Sequence, residues 1–262
     1  MKVLVTNDDG ISSPGLAALA AMVVDAGMNP VVAAPAQDHS GAAAALGPLA
    51  DPSRVVVDQV AIGSLTAHSV HAPTALIVML SMLGGFGEPP DLVLSGINNG
   101  PNTGRSTLHS ATVAAVLVGG YFGRSGLAVS QVVGGPQLWS TATRAAEPLL
   151  AWLRDAPSPT LLNLNVPNTG HDEIRGLRQA ALADVGGVQT VIVGRDEGGI
   201  DIDLMSTTDS LPPNVDSALL RDGYATVSAM APPTAIDLEL PTEHWWIASS
   251  GSEAGSKRIP TA

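Results

Sequence analysis

Two adjacent aspartates, Asp8 and Asp9, follow the first apolar run of the chain, residues 2–6, and precede Gly10. In a regular strand neighbouring side chains face opposite ways, but a turn at Gly10 brings both carboxylates to one point. Two carboxylates held this close repel each other unless a cation lies between them. The pair therefore favours a metal site. The alternative is a solvated turn, because Asp-Asp-Gly is also common turn chemistry.

Two further polar loops supply neutral oxygen atoms. Asn98 stands in a glycine-rich segment, residues 95–100, that follows the apolar run 91–94, and Ser40 stands in the loop 37–41. Oxygen ligands without cysteine or an obvious histidine pair favour a hard cation such as Mg²⁺, Mn²⁺ or Ca²⁺. Each loop also has a simpler explanation. Residues 95–100 are then a glycine-rich connector, and Ser40 caps the alanine-rich stretch after it.

Groups that bind anions or transfer protons flank these loops. Ser110 and Thr112 open a predicted helix, and a helix N-terminus with hydroxyls is a ready anion site, although ordinary capping also explains them. His39 and His109 lie on either side of the predicted site. Each is either a general acid or hydrogen-bond donor, or a loop histidine without a role.

Several reaction classes are excluded by motifs that the sequence lacks. The absence of cysteine excludes disulfides, thiolate metal sites and cysteine nucleophiles. The sequence has no Gly-x-x-x-x-Gly-Lys loop, which excludes a P-loop NTPase, and no Gly-x-Ser-x-Gly elbow, which disfavours an α/β-hydrolase. A covalent aspartyl phosphatase would need its nucleophile at Asn7, and an amide cannot do that work. Of the mechanisms considered, the one that remains is the attack of metal-activated water on a phosphate ester.

The charge of the chain limits its partners. Its 262 residues include 12 Lys and Arg and 24 Asp and Glu, so the formal net charge is −12. This field repels a nucleic acid polymer, and an anionic small substrate needs local positive charge from a metal or from helix amides. The first residues turn acidic too early for a signal peptide, and the apolar runs are too short to span a bilayer. We therefore expect a soluble cytoplasmic protein without a membrane partner.

Short apolar runs alternate with helical stretches in the first part of the chain. Helices are predicted at residues 14–26, 73–83, 110–121 and 137–154, and strands at 2–6, 30–34, 54–60, 91–94, 127–130 and 160–165. Continuously apolar strands separated by helices are typical of a parallel sheet covered on both faces. Ligands bind such a sheet at the carboxyl ends of its strands, which is where the three polar loops lie.

The pattern changes after about residue 168. Strands without long helices between them are predicted at residues 174–182, 189–193, 200–204, 224–230 and 235–240. We therefore divide the chain into an α/β catalytic body at 1–168, a β-rich extension at 169–250 that serves as an oligomerisation arm, and a flexible polar tail at 251–262.

These motifs resemble those of the SurE survival-protein family, whose members are metal-dependent nucleotidases and phosphatases. The third and most specific motif is matched by residues 90–102, which read Pro-Asp-Leu-Val-Leu-Ser-Gly-Ile-Asn-Asn-Gly-Pro-Asn. The other matching segments are residues 5–11 with Pro14-Gly15, residues 32–35 leading to Ser40-Gly41, and residues 110–115, 163–167 and 222–224. Order and spacing agree over about residues 1 to 230.

The resemblance implies a site, a fold and an assembly. The implied ligands of one divalent cation per subunit, Mg²⁺ or Mn²⁺ (or Ca²⁺ in a crystal), are Asp8, Asp9, Ser40 and Asn98. The implied phosphate-binding positions are Gly41, Asn102, Ser110 and Thr112. The family fold is a Rossmann-like three-layer α/β sandwich with a β-rich C-terminal extension that subunits exchange, so the resemblance also implies a homodimer or homotetramer.

The chain departs from the family pattern at several positions. The usual Gly-Thr-Pro-x-Asp-Cys stretch reads His71-Ala72-Pro73-Thr74-Ala75-Leu76, so alanine stands at the acidic position. His109 replaces a common aromatic, Ala111 replaces a glycine, and Val118 stands where an acidic residue is common. None of these changes removes an implied metal ligand, but they bear on substrate preference, subunit contacts and rate.

The leading hypothesis is a divalent-metal-dependent phosphomonoesterase that hydrolyses nucleoside monophosphates, a 5'-nucleotidase. Asp8, Asp9 and Asn98 form its reaction centre, and His109 is the candidate for protonating the leaving group. One alternative, motivated by the altered residues 71–76, is a regulatory protein that binds a metal or a nucleotide and has weak or lost catalysis. The other is an acidic scaffold without a site.

Overall fold

The computed structural model describes residues 1–186, 188–206 and 211–235. Its strands are β1 (Lys2–Thr6), β2 (Asn29–Pro35), β3 (Val57–Ile62), β4 (Leu65–Val70), β5 (Leu92–Asn99), β6 (Ser125–Gln131), β7 (Leu161–Val166), β8 (Leu177–Gln179), β9 (Val188–Arg195), β10 (Ile200–Ser206) and β11 (Ala225–Met230). Its helices are α1 (Pro14–Asp25), α2 (Thr74–Met82), α3 (Ala111–Tyr121), α4 (Trp139–Leu153) and α5 (Asp216–Arg221), with 3₁₀ turns at Gly104–His109 and His171–Glu173.

Nine strands form one sheet in the order β3-β4-β2-β1-β5-β6-β7-β11-β8. The six strands from β4 to β7 in this order run parallel, β3 pairs antiparallel with β4, and β11 pairs antiparallel with β7. After β1 the chain adds β2 and β4 on one side of β1, and it then returns to add β5 on the other side of β1. The predicted α/β fold with a mainly parallel sheet is confirmed, and its topological switch point lies between β1 and β5.

Both faces of the sheet are covered by helices. In β1, Val3 and Val5 belong to a core with Leu16 of α1 and Leu150 of α4, whereas Leu4 belongs to a second core with the α2 and α3 side chains. This alternation is the period of two that a strand imposes on its side chains. Because both faces are apolar, polar groups of the sheet gather at its ends, and the carboxyl end carries the loops described below.

Several elements differ from the sequence prediction. The strand predicted at residues 54–60 begins three residues later, and β4 was not predicted because its polar Thr66, His68 and Ser69 break the apolar run. β5 continues to Asn99, five residues beyond the predicted end, because Asn98 and Asn99 still pair with β6. The strand predicted at 174–182 is reduced to β8. The strand predicted at 235–240 lies outside the described residues except for its first position.

The segments after β7 return partly to the main sheet. β11 and β8 extend it beyond β7, while β9 and β10 pair with each other in a separate antiparallel hairpin. The buried carboxylate of Asp216 accepts hydrogen bonds from the backbone N–H groups of Gly104, Ala183 and Ser217 at 2.8, 3.0 and 2.7 Å. It thereby ties α5 and the segment after β8 to the loop that follows β5.

The compact unit that contains the sheet runs from Met1 to Pro232. A second unit, residues 233–262, lies outside the described residues except for its first three positions. Within the described part of the chain, none of the helices has the length and apolar character needed to cross a membrane.

Candidate active site

The sheet brings the predicted acidic turn and the predicted asparagine loop to the same place. β1 and β5 are adjacent parallel strands, and Thr6 and Ser95 are their last paired residues. Asp8 therefore follows the carboxyl end of β1, and Asn98 lies near the carboxyl end of β5. Both positions are at the topological switch point of the sheet. Open parallel sheets bind ligands at this position.

Two hydrogen bonds hold the turn after β1, and neither of them uses a carboxylate of Asp8 or Asp9. The Asn7 side-chain amide donates to the carbonyl oxygen of Gly10 at 3.0 Å, and the Thr74 hydroxyl donates to the carbonyl oxygen of Asn7 at 3.0 Å. Gly10 has a φ of 102°, a backbone conformation that other residues rarely adopt. The turn predicted at Gly10 is therefore present.

Asp8 is buried and Asp9 is partly buried, and the acidity of both carboxyl groups is altered. Asp8 is only 3% exposed, and its Oδ1 accepts a hydrogen bond of 2.5 Å from the Thr112 hydroxyl in α3. Burial raises the pKa of Asp8, against the lowering effect of that hydrogen bond. Burial, then repulsion from Asp8 and from Asp38, raises the pKa of Asp9 to about 6. Two such groups are poised to share a cation.

The loop after β2 lies against the acidic turn. The backbone N–H of His39 donates to the carbonyl oxygen of Asp8 at 2.8 Å. The Ser40 hydroxyl and backbone N–H both donate to Oδ1 of Asp38, at 2.6 and 2.7 Å, and these bonds lower the pKa of Asp38. The Ser40 proton is therefore engaged and its oxygen lone pairs remain for a ligand. Asp38 adds a third negative charge near the site.

The Asn98 side chain is held by one hydrogen bond. Its nitrogen donates to the carbonyl oxygen of Gly100 at 2.7 Å, and this bond does not use Oδ1. The segment sits close to the beginning of α1. A Cβ at Gly15 would come within 2.3 Å of the carbonyl oxygen of Ile97, so only glycine allows this approach. The backbone N–H of Asn99 also lowers the pKa of Asp9, which puts that carboxyl beside this segment.

The arrangement fits a hard divalent cation. Oδ2 of Asp9 is buried and has no hydrogen-bond partner, and a buried unpaired carboxylate oxygen is costly unless something neutralises it. The available donors are carboxylate, amide and hydroxyl oxygens, which suit Mg²⁺ or Mn²⁺. Among the described residues, no group of three or more His, Cys, Asp or Glu is placed to hold a metal, so neutral oxygens must complete the ligand set. The four-ligand assignment stays a prediction.

The N-terminus of α3 faces the same site. Ser110 caps the helix, with its hydroxyl accepting from the backbone N–H of Val113 at 3.1 Å. The Thr112 hydroxyl is bonded to Asp8, so the first turn of α3 is next to the acidic turn. The backbone N–H groups of Thr112 and Val113 are already bonded, to Asp8 and to the Ser110 hydroxyl, so the helix dipole is what favours an anion at this point. His109 and Gly41 are exposed at the rim, and their roles stay predictions.

Asn102 forms hydrogen bonds with β6 and β7 that were not predicted from the sequence. Its backbone N–H donates to Oδ1 of Asn165 at 2.7 Å, and its carbonyl oxygen accepts from Asn163 at 2.8 Å and from Asn165 at 3.0 Å. Its side-chain nitrogen donates to the Ser130 hydroxyl at 2.9 Å. These bonds pin the loop after Asn98 onto β6 and β7. The predicted contact of Asn102 with substrate stays a prediction.

Comparison with known proteins places this geometry in context. The family model described as Survival protein SurE matches residues 3–186. The chain is 37% identical over 254 residues to a 5'-nucleotidase SurE from Chloroflexus aggregans, covering 94% of this chain and 96% of that protein. It is 39% identical over 201 residues to a 5'-nucleotidase SurE from Legionella pneumophila, covering 76% of this chain and 77% of that protein. The crystal structure of the SurE protein from Aquifex aeolicus matches with a TM-score of 0.69 and 25% identity, covering 88% of this chain and 93% of that one.

Proposed function

The chain belongs to the SurE survival-protein family, and on that premise we propose that it is a divalent-metal-dependent phosphomonoesterase that hydrolyses nucleoside monophosphates. Relatives that align over most of its length are named 5'-nucleotidases, which supports a nucleotidase or phosphatase activity. The observation that carries the metal dependence is the buried Oδ2 of Asp9, unpaired beside Asp8 at the switch point of the sheet.

Four side chains would hold the cation, namely Asp8, Asp9, Ser40 and Asn98. When bound, the cation supplies positive charge that polarises the phosphoryl group and activates water. The chain's own groups orient these ligands: Thr112 holds Asp8, Asp38 holds the Ser40 hydroxyl, and the Gly100 carbonyl holds the Asn98 amide.

Phosphoryl oxygens would be bound by the start of α3. The dipole of the helix supplies positive potential in a chain whose net charge is −12. A fixed positive potential of this kind stabilises the charge that grows on the oxygens in the transition state. His109, at the end of the 3₁₀ turn that precedes Ser110, is our candidate for protonating the leaving-group oxygen.

The test is metal-dependent phosphate release. With Mn²⁺ or Mg²⁺ we expect the purified protein to release phosphate from nucleoside monophosphates, and to stop when a chelator is added. Asp8→Asn and Asp9→Asn should each lower kcat/KM by a factor on the order of 10³, because a cation ligand is lost. Asp25→Asn, at the exposed end of α1, is the matched control and should behave like the wild type. An Asp9→Asn variant with most of its activity would exclude this site.

The structure bears on the alternative of a binding protein with lost catalysis. That alternative was suggested by residues 71–76, which depart from the family pattern. Thr74 within this stretch nevertheless bonds to Asn7 and supports the acidic turn, and His71 pairs with Asp58 at the surface. The departure therefore leaves the supports of the turn in place, which favours the enzyme. Nucleotide binding without phosphate release in the same assay would favour the binding protein.

A further inference from the structure

The hydroxyl group of Thr74, the first residue of α2, forms its hydrogen bond outside its own helix. The residue is fully buried, and the hydroxyl donates at 3.0 Å to the carbonyl oxygen of Asn7, 67 positions away in the sequence. A threonine at the start of a helix commonly bonds to backbone groups of the same helix. The bond of Thr74 instead joins α2 to the acidic turn, residues 7–10.

This bond holds the peptide group that leads into Asp8. The carbonyl oxygen of Asn7 lies in the same plane as the Cα atom of Asp8, because the atoms of a peptide group are coplanar. A donor that holds this oxygen therefore restricts rotation of the plane. It thereby sets the direction in which the Asp8 side chain leaves the backbone.

A second threonine holds the other end of Asp8. The Thr112 hydroxyl of α3 donates to Oδ1 of Asp8 at 2.5 Å, so α3 holds this residue at its carboxylate and α2 holds it at its backbone. The two helices share one apolar core, in which Ile77 of α2 and Val113 of α3 belong to the same cluster. Because packed cores deform little, a shift of Asp8 is opposed at both of its ends.

The other carbonyl oxygens of the acidic turn are bonded differently. The carbonyl oxygen of Asp8 accepts from the backbone N–H of His39 at 2.8 Å, and that of Gly10 accepts from the side chain of Asn7 at 3.0 Å. Among the hydrogen bonds between described residues, the bond of Thr74 is therefore the one in which a side chain from elsewhere in the chain holds the backbone of this turn. A substitution of Thr74 removes this support and leaves the bonds within the turn in place.

Thr74 is also the polar contact between the site and the stretch that departs from the family pattern, residues 71–76. In this stretch His71 pairs with Asp58, and the alanine, proline and leucine side chains have no hydrogen-bonding group. Ala75, which stands at the position of the usual acidic residue, is fully buried. The connection of this stretch to the acidic turn by a side-chain hydrogen bond therefore depends on the Thr74 hydroxyl.

We propose that Thr74 is a positioning residue of the metal site, whose hydroxyl sets the affinity for the divalent cation by holding the peptide group between Asn7 and Asp8. The inference rests on the proposed function, since Asp8 must be a ligand of the cation. Thr74 itself does not bind the cation. Without its hydroxyl the Asn7 carbonyl loses a donor, and binding must first restore the orientation of Asp8, which lowers the affinity.

The test is the affinity for Mn²⁺, measured by isothermal titration calorimetry without substrate. Thr74→Val has nearly the shape of threonine but lacks the hydroxyl. We expect its dissociation constant for Mn²⁺ to be about 10- to 100-fold higher than that of the wild type, which is typical when a residue that orients a metal ligand is lost. Thr74→Ser keeps the hydroxyl, and its dissociation constant should stay within about threefold of the wild type.

Thr141→Val is the matched control. Thr141 is 3% exposed in the first turn of α4, and its hydroxyl donates to the carbonyl oxygen of Thr169 at 2.9 Å, in the loop after β7. This variant therefore also removes a buried threonine hydroxyl from the start of a helix and leaves a carbonyl without that donor. It should lower the melting temperature by about 2–5 °C, as Thr74→Val does, and leave the dissociation constant for Mn²⁺ unchanged.

Thr74→Ala covers the case in which Thr74→Val does not fold. Its side chain is smaller than that of threonine, so it fits the site without a clash, and it also lacks the hydroxyl. We expect its dissociation constant for Mn²⁺ to rise at least about fivefold. Circular dichroism of each variant establishes that it is folded before the titration.

Different results separate the two proposals. If the wild type binds Mn²⁺ and the folded variants without the hydroxyl bind it within about twofold of the wild type, the inference is overturned and the proposed function stands. An equal rise of the dissociation constant in Thr141→Val, or in Thr74→Ser, also overturns the inference, because the loss then follows stability or packing and not the hydroxyl. If the wild type binds neither Mn²⁺ nor Mg²⁺, the proposed metal dependence fails and the inference fails with it.

Discussion

Asp9 carries a carboxylate oxygen that is buried without a hydrogen-bond partner, and its neighbours Asp8 and Asp38 both repel its charge. In the metal-free protein this charge opposes folding, because the unfolded chain can hydrate it. The same feature makes the residue a strong cation ligand. At this position the requirement of function and the requirement of stability therefore oppose each other.

This opposition predicts a pH-dependent stability of the metal-free protein. The pKa of Asp9 is about 6 in the folded state against an ordinary value of 3.8, so between these values the folded state binds the extra proton. The free energy of unfolding should therefore fall as pH rises from about 3.8 to about 6, and it should level off above that range. Allowing for partial solvent exposure, we expect about 2 kcal/mol from this group. Urea unfolding of the metal-free protein at about pH 3.5 to 8 measures it.

Asp9→Asn is the control for this prediction. An amide cannot ionise, so the variant should be more stable than the wild type by about 1–2 kcal/mol at pH 7.5 without metal, and the two should converge below about pH 3.8. The advantage should disappear when Mn²⁺ is added, because the cation stabilises the wild-type fold alone. Parallel pH profiles of the two proteins would show that Asp9 is not the group responsible.

At the residue scale, the sequence indicated that the segments of Asp8, Asp9 and Asn98 lie together, because acidic or amide side chains follow apolar strands and parallel strands end on the same side of a sheet. The pairing of β1 with β5 brings these segments together, and the ligand roles stay predictions. Asp38 and Thr74 were missed as supports, because their partners are Ser40 and the Asn7 carbonyl. The partner of Thr74 is distant in sequence, and residue spacing does not reveal such a hydrogen bond. The partner of Asp38 is two residues away, and its hydrogen bonds resemble those of an ordinary turn.

At the element scale, the loop after β5 is positioned by asparagines of β7. Asn165 accepts from the backbone N–H of Asn102 and donates to its carbonyl oxygen, and Asn163 donates to the same carbonyl. Both asparagines are buried in the sheet. They therefore hold a segment that begins four residues after Asn98.

Asn165→Ala should loosen this loop and affect both stability and activity. It leaves the Asn102 backbone N–H without its acceptor, and we expect a loss of about 2 kcal/mol in the free energy of unfolding. We also expect kcat/KM for AMP to fall about tenfold, since small displacements of positioned groups are costly in catalysis. Denaturant unfolding and steady-state kinetics on the same samples provide the two numbers.

Ser125→Ala separates positioning from simple destabilisation. Ser125 accepts a hydrogen bond of 2.9 Å from the backbone N–H of Thr160. It lies at the beginning of β6, at the end of the strands opposite to the candidate active site. This variant should lose stability while keeping the kinetics of the wild type. Equal kinetic losses in both variants would mean that Asn165 acts through stability alone.

The elements themselves were predictable where their pattern is periodic and their environment uniform. α1, α2 and α3 and the apolar strands β1 and β6 occur close to their predicted positions because burial on both faces selects continuous apolar runs. β4 and α5 were not predicted. β4 takes its place through pairing with β2 and β3, and α5 is a six-residue helix whose Asp216 is fixed by distant backbone groups. Such tertiary interactions override local propensity.

At the scale of the whole molecule, two features extend beyond the site. The hairpin of β9 and β10 exposes apolar side chains, among them Ile192, Val193, Ile200 and Ile202, at 53 to 65%. Exposed apolar edges of this kind are costly in a monomer, which supports the expected homodimer or homotetramer without testing it. The other feature is the net charge of −12, which acts on every anionic substrate that approaches.

The net charge predicts how salt affects the enzyme. A nucleoside monophosphate is a dianion at neutral pH, and the field of the chain repels it until the start of α3 and the cation attract it at short range. The Debye length falls from about 30 Å at 0.01 M salt to about 8 Å at 0.15 M, so salt should screen the distant repulsion more than the local attraction. We expect kcat/KM for AMP to rise about two- to threefold over this range of NaCl, with kcat nearly unchanged. Steady-state kinetics at constant pH and Mn²⁺ concentration test this.

Asp38→Asn locates the origin of the effect. Asp38 is exposed beside the site, and an asparagine keeps a side-chain oxygen for the Ser40 hydroxyl while removing the charge. Its kcat/KM should be higher than that of the wild type at 0.01 M salt, and the two should approach each other at 0.15 M, because the removed repulsion is the part that salt screens. Asp25→Asn removes one charge at the opposite edge of the sheet and should change the salt slope much less. A kcat/KM that falls with salt in the wild type would show that attraction near the site outweighs the charge of the whole chain.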